Sequence, residues 1–439
     1  MTTAFGAHDM TPELSALVHS RVGSATAVNP TIHGSDQMYR HSETVFNGDG
    51  RLAARHYFVS GMRIADLFRQ VANWRFGGYD HVSSVLDFAA GYGRSTRFLV
   101  NEIPAERVWV AEILPDAVAF QQEQFGVHGL LSATDPNDFR PDRAFDCIFV
   151  SSLFSHLPER TFAAWLERLF GLLTPPGVLA FSVHDEAVLP PGWVMPDSGF
   201  LYQEQSENEV LDTQDYGSTF VTEVAVRKAI VRSTGRGAYC RIAKGLGRFQ
   251  DVYLVVKDED PNFATLAYDH GAQGWVDGVE VTPEGEVHLA GWAAHTSPGA
   301  RVEDVQVLVD GQLMQRCLPS LHRPDIAAHL GEPTNELWAR SGWRCWFQLP
   351  DRIEPAERVL LVKAVSSKGV EDVIHVGTVR AVHSIQSQNA LTAAVNNAAG
   401  KATPVAPRVT LFVREAFSRR WGRSRPRQDG PPDRQDQRA

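Results

Sequence analysis

The sequence predicts an α/β protein with a mostly parallel sheet, followed by a separate region built of β-strands. The first observation is a short apolar run over residues 85–88, which ends at the small residues 89–93 before the apolar positions take helical spacing. The second is the alternation of valines with other residues over 305–309, ahead of an Asp-Gly turn at 310–311. A strand followed by a helix is the unit of a parallel sheet, whereas alternation is typical of antiparallel strands.

Length, composition and charge limit the classes of protein. With 439 residues, of which 43% are hydrophobic and 21% charged, the chain has room for two or three globular domains. The net charge of −10 is uneven, because residues 401–439 hold ten Lys/Arg and only four Asp/Glu. The rest of the chain is strongly acidic, which argues against an enzyme that acts on nucleic acid, whose site would be basic.

Cysteine spacing and the N-terminus bear on the compartment. The four cysteines (Cys147, Cys240, Cys317 and Cys345) lie far apart in the sequence without C-x-x-C spacing, so neither a zinc site nor a disulfide framework is predicted. The first 20 residues lack the basic start and apolar core of a signal peptide, and no stretch is long enough to span a bilayer. We therefore expect a soluble, cytoplasmic protein.

The turn after the first buried strand is a candidate ligand site. Small residues at Ala89, Gly91 and Gly93 let a ligand press against backbone N–H groups at the start of the next helix. Thr96 occupies the place of the third glycine in G-x-G-x-x-G, so the dinucleotide pattern fails. Asp87, inside the strand, suits a cofactor with an ammonium group better than a pyrophosphate.

This stretch, an acid followed by a spacer and G-x-G, resembles motif I of the class I S-adenosylmethionine (SAM)-dependent methyltransferases, although Ala89 stands where the family usually has glycine. The resemblance covers about residues 50–258 and implies a Rossmann-like sheet whose last strand is reversed. It also implies SAM as the cofactor. The residues that it assigns to SAM binding are Asp87, Ala89, Gly91, Gly93, Glu112, Asp135 and Ser151.

Each of these assignments has a chemical reason. Asp87 and the backbone of the turn would face the amino-acid and ribose portions of SAM, and Glu112, at the end of the second strand, would accept from the ribose diol. Asp135 would accept from the adenine amine, with Asp138 as the fallback, while either acid is also suited to capping the local turn. Ser151 follows the fourth strand, and ligands gather beyond the carboxyl ends of parallel strands.

The other elements of this region follow in order along the chain. Apolar spacing predicts helices over 51–74 and 160–173, a helix starting at Pro115, and strands at 107–112, 145–150, 177–185, 240–243 and 250–257. Residues 57–61 are similar to a segment that closes over SAM in some family members; a helix face turned to the core explains them equally simply.

Acid/base residues follow two of the predicted strands. His156 comes after the fourth strand, and His184 and Asp185 end the fifth, so all three are candidate catalytic residues at one sheet edge. An imidazole titrates near neutral pH and suits a general base, although in many family members the first histidine is a structural capping residue. No cluster with metal-ligand spacing is present, which predicts metal-independent methyl transfer.

The insertion at residues 187–222 is expected to determine which molecule accepts the methyl group. Its aromatic and acidic side chains suit stacking on sugar rings and accepting from hydroxyls, though such loops often bury aromatics only to hold themselves together. These side chains are Trp193, Phe200, Tyr202, Glu204, Asp212, Asp215 and Tyr216. We expect methylation of a sugar hydroxyl on a glycan or glycan precursor. The alternatives are small-molecule O- or N-methylation and a non-catalytic scaffold in glycan assembly.

The domain organisation follows from these patterns. It is predicted as an N-terminal arm (1–49, loose over 1–30), the methyltransferase domain (50–258), a linker (259–269), a β-sandwich (270–382), and a linker with a basic amphipathic helix and a disordered tail (383–439). The sandwich resembles immunoglobulin-like domains on bacterial glycan-modifying enzymes, and glycan binding, a spacer or a dimerisation role are all consistent with it. The basic helix suits a membrane surface, a protein partner or the protein's own body.

Overall fold

The computed structural model describes residues 3–20, 28–205, 211–297, 299–349 and 358–379. The predicted linker, basic helix and disordered tail over 383–439 lie outside the described residues. Within the described part, no helix combines the length and the apolar character needed to cross a membrane.

The N-terminal residues form regular elements that pack on the rest of the molecule. These elements are β1 (Thr3–Phe5), α1 (Pro12–His19), β2 (Ile32–His33), α2 (Gln37–Val45) and α3 (Gly50–Phe76). The Thr11 hydroxyl accepts from the Leu14 N–H at 3.3 Å and so caps α1, which buries Leu14, Leu17 and Val18. The prediction of a loose arm over residues 1–30 is wrong for α1, because its apolar face joins a buried cluster with α3.

The central sheet is mostly parallel, as the sequence predicts. Its strands are β3 (Val85–Phe88), β4 (Val108–Glu112), β5 (His128–Leu131), β6 (Phe145–Val150), β7 (Leu173–Asp185), β8 (Phe200–Gln203), β9 (Ser218–Val221), β10 (Cys240–Leu246) and β11 (Gln250–Val256). Their order is β10-β11-β7-β6-β3-β4-β5, with β9 beside the end of β7 and β8 beside β9. β3 to β7 run parallel, whereas β11 is antiparallel to β7, which confirms the reversed last strand.

Helices cover both faces of this sheet. The helices of this region are α4 (Thr96–Leu99), α5 (Pro115–Phe125), α6 (Glu159–Gly171) and α7 (Glu223–Thr234), and 3₁₀ turns lie at Ala7–Asp9, Tyr79–His81, Ala105–Arg107, Glu186–Val188 and Phe263–Thr265. α3 and α5 pack on one face, α6 and α7 on the other. β6 is buried along its whole length, and apart from Asp146 its sequence is apolar, as expected of a strand covered on both faces. The carboxyl ends of β3, β4, β6 and β7 therefore share one edge.

Two antiparallel sheets follow the linker and share one buried cluster. Their strands are β12 (Ala272–Val281), β13 (Glu286–His295), β14 (Val302–Val309), β15 (Gln312–Cys317), β16 (Gly342–Gln348), β17 (Val359–Ser366) and β18 (Glu371–Thr378). Two short helices, α8 (Pro324–His329) and α9 (Glu336–Ala339), lie between β15 and β16. The strand orders are β12-β13-β16 and β15-β14-β17-β18. Asp310 (φ 48°) and Gly311 (φ 79°) form the predicted hairpin between β14 and β15. Residues 272–379 are called the C-terminal β region below.

The N-terminal helices connect the central sheet to the C-terminal β region. α1 and α3 share a buried cluster with Val359, Leu361 and Val376 of β17 and β18. An Arg55 guanidinium N–H of α3 donates to the Val376 carbonyl at 3.3 Å, and Arg248, in the β10–β11 turn, donates to the Ala272 carbonyl at 3.0 Å. The first residues of the chain thus help to hold the last described strands.

Candidate functional site

The loop over residues 89–95, called the glycine loop below, is braced from underneath by Asp87. The Asp87 carboxylate accepts from the hydroxyls of Ser95 at 2.8 Å and Thr96 at 3.1 Å, and only 1% of the residue is exposed. Burial raises the pKa of Asp87 to about 6, although both hydroxyls oppose the shift. Both hydroxyls donate to the same carboxylate oxygen, Oδ2, which therefore supports the loop.

Three residues of the glycine loop have left-handed backbone conformations, namely Ala89 (φ 58°), Gly91 (φ 58°) and Gly93 (φ 78°). A Cβ at Gly93 would lie 2.4 Å from the ring of Phe125, so only glycine fits between the loop and α5. A Cβ at Gly91 would meet no heavy atom within 4 Å. The two glycines therefore differ, because one is required for packing and the other borders open space.

Glu112 lies beside the glycine loop, as predicted from the ends of neighbouring parallel strands. One carboxylate oxygen accepts from the Gly91 N–H at 2.8 Å, and the other accepts from the Ile113 N–H at 2.7 Å. Burial raises the pKa of Glu112, and these backbone donors oppose that rise. A carboxylate has about four lone-pair positions. Leu114 is a third backbone donor to this carboxylate, so Glu112 keeps acceptor capacity for about one further donor.

Arg94 is a candidate site residue that the sequence analysis did not single out. It belongs to the glycine loop and is half-buried, and burial lowers the pKa of its guanidinium. Where the chain is described, the structure shows no hydrogen bond or ion pair of this side chain. Its backbone carbonyl closely approaches α3 at Gly61, where a Cβ would lie 2.1 Å away. The sequence feature that could have identified Arg94 is its position as a cation directly after G-x-G.

Asp135 and Ser151 lie at the same edge with different surroundings. The loop before Asp135 starts next to Glu112, since the Ser132 N–H donates to the Glu112 carbonyl at 2.8 Å. Asp135 is exposed, and its carboxylate accepts from the Asn137 N–H at 2.9 Å, which is the turn-capping alternative. Ser151 directly follows β6 and borders a small cavity that Phe68 and Ser182 also line.

His156 and His184 are brought together, with ring centroids 6.1 Å apart. Nδ1 of His156 lies 2.8 Å from the Gly217 carbonyl, and the ring stacks on Tyr216 at 4.5 Å. A neutral ring that donates from Nδ1 carries its lone pair on Nε2. Each histidine is only 4% exposed, because the insertion covers them.

A buried glutamine, Gln250, links polar side chains that come from different strands at this edge. Its amide oxygen accepts from the hydroxyls of Ser182 at 2.6 Å and Ser152 at 3.2 Å, and its amide nitrogen lies 3.2 Å from Nε2 of His184. We call His156, His184 and Gln250 the histidine cluster. The sequence analysis placed Gln250 only at the start of a strand, because nothing local marks a side chain whose partners lie on other strands.

Asp185 does not join the histidine cluster, which corrects the predicted acid/base group. Its carboxylate caps the following 3₁₀ turn through the Ala187 N–H at 3.0 Å and pairs with Arg241 at 3.0 Å. Arg241 also pairs with Glu223 and Asp251. Adjacent residues of a strand point to opposite faces of the sheet, so His184 and Asp185 cannot both face His156.

Most aromatic side chains of the insertion hold the insertion itself in place. Tyr216 stacks on His156, the Tyr202 hydroxyl donates to the Thr213 carbonyl at 2.7 Å, and Phe200 packs edge-on against Phe162 at 5.6 Å. Asp215 pairs with Arg160 at 2.7 Å. These contacts match the alternative that the sequence left open, in which the loop buries its aromatics for its own order.

Comparison with known proteins identifies the domain that carries this site. Residues 86–179 match the family model described as a methyltransferase domain. Trans-aconitate 2-methyltransferase of Rhodopseudomonas palustris is 24% identical over 215 residues, which cover 49% of this chain and 78% of that protein. The protein of the same name from Methylobacterium radiotolerans is 30% identical over 105 residues, covering 24% of this chain and 39% of its own length.

Solved structures with a similar fold include methyltransferases. A SAM-dependent methyltransferase from Clostridium acetobutylicum is 15% identical, with 44% of this chain and 90% of that chain covered and a TM-score of 0.32. The glycopeptide N-methyltransferase MtfA in complex with sinefungin is 20% identical, with 44% and 94% covered and a TM-score of 0.32. The domain match and the curated relatives support an enzyme of the methyltransferase class.

Proposed function

We propose that this enzyme transfers the methyl group of SAM to a hydroxyl oxygen of a sugar, on a glycan or a glycan precursor. The observation that carries the cofactor half of this proposal is the composition of the sheet edge. Open space over Gly91, the acceptor capacity of Glu112 and the cation of Arg94 lie around one loop. SAM supplies an electrophilic methyl group, so the protein's main task is to align donor and acceptor.

The residues present fit the polar groups of SAM. Glu112 would accept from the ribose diol with the acceptor capacity that Gly91, Ile113 and Leu114 leave over. Arg94 would bind the carboxylate of the methionine portion, because a guanidinium and a carboxylate form two parallel hydrogen bonds. Asp87 would act through the glycine loop, as a positioning residue that holds Ser95 and Thr96.

The remaining contacts assigned to SAM follow the sequence prediction. The backbone of the glycine loop, including Ala89, Gly91 and Gly93, would face the amino-acid portion and the ribose. Asp135, with Asp138 as the alternative, would accept from the adenine amine, and Ser151 would contact the cofactor from the end of β6.

The histidine cluster would serve the acceptor. A sugar hydroxyl is a poor nucleophile at neutral pH, so its proton must leave as the methyl group arrives. His156 would take this proton at Nε2, since its Nδ1 donates to the Gly217 carbonyl, and His184 would orient the acceptor beside it. The acidic body of the protein and the half-buried Trp193 at the insertion are consistent with a polar, uncharged acceptor.

A small-molecule carboxylate is the second candidate acceptor. The observation that favours it is the 24% identity to a protein named trans-aconitate 2-methyltransferase over 215 residues. A carboxylate is already ionised at neutral pH and needs no general base. The two acceptor classes therefore differ in whether they depend on His156.

The C-terminal β region would be a sandwich of the immunoglobulin-like kind that contributes to glycan binding. The feature that supports this is Trp346 on the edge strand β16, which is 59% exposed on the outer sheet face between Arg344 and Gln348. An exposed tryptophan beside polar side chains suits stacking on a sugar ring. Trp346→Ala should weaken glycan binding without changing the affinity for SAM.

Calorimetric titration with two ligands tests the cofactor site. SAM carries the methionine carboxylate, whereas 5′-methylthioadenosine keeps the nucleoside and lacks that group. Glu112→Gln should weaken binding of both ligands by about 10-fold or more, as expected for a hydrogen bond to a charged group. Arg94→Ala should weaken SAM by a similar factor and leave 5′-methylthioadenosine unchanged. A wild-type protein that binds neither ligand would overturn the proposal and favour the scaffold.

Transfer of a labelled methyl group tests the acceptor. Oligosaccharides, sugar nucleotides and trans-aconitate are offered to the wild type and to His156→Ala, after calorimetry has shown that the variant binds SAM normally. A hydroxyl acceptor should lose about 10²-fold or more in rate in the variant, because its base is removed. Activity on trans-aconitate that His156→Ala retains would instead establish the carboxylate acceptor.

A further inference from the structure

Two cysteines of the C-terminal β region lie next to each other in the fold although 27 residues separate them in the sequence. Cys317 ends β15, the edge strand of the four-stranded sheet, and Cys345 lies in β16, the edge strand of the three-stranded sheet. Both side chains pack on the cluster that the two sheets share. Strands β15 and β16 lie against each other, and the two thiols are close enough for each to shift the pKa of the other. The Cys317 thiol also lies 3.6 Å from the Val305 carbonyl.

The position of this pair differs from that of the other two cysteines. Cys147 is fully buried in the middle of β6, and Cys240 lies in β10 of the central sheet. Cys345 is almost fully buried, whereas Cys317 is half-buried and precedes Leu318, which is 62% exposed. A reagent from solvent therefore reaches the pair through Cys317.

We propose that Cys317 and Cys345 are a redox-active pair that closes into a disulfide between the two sheets. The bond would join edge strands that belong to different sheets and enclose the connection that carries α8 and α9. A cross-link between elements that are not hydrogen-bonded as neighbouring strands restricts the unfolded chain and holds the two layers together. This inference is independent of the proposed methyl transfer.

The chemistry assigns different roles to the two thiols. The interaction between the two thiols lowers the pKa of Cys317, and the same interaction together with burial raises the pKa of Cys345. Cys317 is thus the thiol that attacks first, since the thiolate is the nucleophile. Cys345, held against it, is the resolving thiol.

The reaction is an exchange with a small oxidised disulfide of the glutathione type. The Cys317 thiolate attacks one sulfur of that disulfide, its S–S bond breaks, and one small thiolate leaves. Cys345 then loses its proton to solvent and attacks the sulfur of Cys317, which expels the second small thiolate. In sum, two protein thiols are oxidised and one small disulfide is reduced to two thiols.

Thiol counting on the full chain tests the pair. The protein is equilibrated with oxidised glutathione, alkylated, digested and analysed by mass spectrometry. The wild type should lose two of its four thiols and yield a peptide that links Cys317 to Cys345, and dithiothreitol should restore both. Cys345→Ser should instead carry one glutathione on Cys317, and Cys147→Ser should form the link as the wild type does. Four remaining thiols, or a link to Cys147 or Cys240, would overturn the proposal.

A second measurement uses only the wild-type protein, so it does not require any variant to fold. Thermal unfolding of the wild-type protein is followed after oxidation and after reduction. The oxidised form should unfold at a higher temperature, because the link stabilises the C-terminal β region against separation of its sheets. An oxidised form whose linked peptide is present but whose melting temperature is lower would show that the two strands are not placed for a disulfide.

Discussion

The two halves of the sheet edge are built differently. The glycine loop with Glu112 offers open space, a carboxylate with acceptor capacity and the guanidinium of Arg94, on which Asp36 and Asp87 act electrostatically. The histidine cluster is closed, since Gln250 connects two serines and a histidine below an insertion that leaves each histidine 4% exposed. One half borders open space, whereas the polar groups of the other half are already hydrogen-bonded to one another.

This difference separates the two parts of the proposed function. The proposed SAM contacts come from one loop and one neighbouring strand, so we expect SAM binding to tolerate change elsewhere in the chain. The histidine cluster depends on residues from β6, β7, β11 and the insertion, so we expect changes there to affect packing and the proposed acceptor binding together. The following substitutions separate the two halves by comparing stability with ligand affinity.

Gly93→Ala and Gly91→Ala should have the largest and most unequal effects. A methyl group at Gly93 overlaps Phe125, so overpacking and left-handed strain together should lower the free energy of unfolding by about 2–5 kcal/mol. At Gly91 only the strain applies, about 1–2 kcal/mol, and the methyl group enters the space proposed for SAM. Urea unfolding and calorimetric titration measure the two effects. Equal destabilisation by both variants would contradict the packing difference.

Gln250→Leu should destabilise the protein while leaving SAM binding unchanged. Loss of the amide removes the acceptor of Ser152 and Ser182 and the neighbour of His184, which should lower the free energy of unfolding by about 2–4 kcal/mol. Ser152→Ala is the matched control, because Gln250 keeps its bond from Ser182, and about 1 kcal/mol is expected. If the two variants unfold at the same urea concentration, Gln250 does not join the two serines and His184 into one stabilising hydrogen-bond network.

The sequence predicted the glycine-loop half better than the histidine half, and the reason is physical. Asp87, Gly91 and Glu112 are placed by a strand–turn–helix pattern and by the neighbouring strand, both of which local periodicity marks. The partner of Asp185, by contrast, is Arg241, 56 residues further along. Only the pairing of β7 with β11 and of β11 with β10, together with the alternating faces of these strands, decides which side chains meet there. For the same reason, the sequence pattern did not predict that Cys317 and Cys345 are neighbours or that α1 packs against α3.

Asp87→Asn should change how stability depends on pH. Because burial raises the pKa of Asp87 from 3.8 to about 6, the folded state binds a proton more tightly than the unfolded state does. Its contribution to stability is fully present below pH 3.8 and is lost as the pH rises through 6. The amide keeps an acceptor for Ser95 and Thr96 without the buried charge. The variant should therefore gain about 1–3 kcal/mol relative to the wild type between pH 4 and pH 7.5.

Urea unfolding at these two pH values gives the comparison, and Asp135→Asn, an exposed carboxylate, is the control. The difference between variant and wild type is the relevant quantity, because other titrating groups contribute equally to both. A difference that is the same at both pH values would mean that the Asp87 carboxylate is ionised throughout, with its hydroxyl partners outweighing burial.

Asp135→Asn should give the smallest effect and the finest test of the glycine-loop half. Asparagine keeps the oxygen that accepts from the Asn137 N–H, so the free energy of unfolding should change by no more than about 0.5 kcal/mol. If Asp135 accepts from the adenine amine, its neutral replacement should bind 5′-methylthioadenosine a few-fold more weakly. The inosine analogue, which lacks that amine, should bind both proteins alike. Asp138→Asn is the matched variant. The substitution that weakens binding of 5′-methylthioadenosine but not of its inosine analogue identifies the adenine contact. If both variants change the affinity for both ligands equally, Asp135 and Asp138 have turn-capping roles alone.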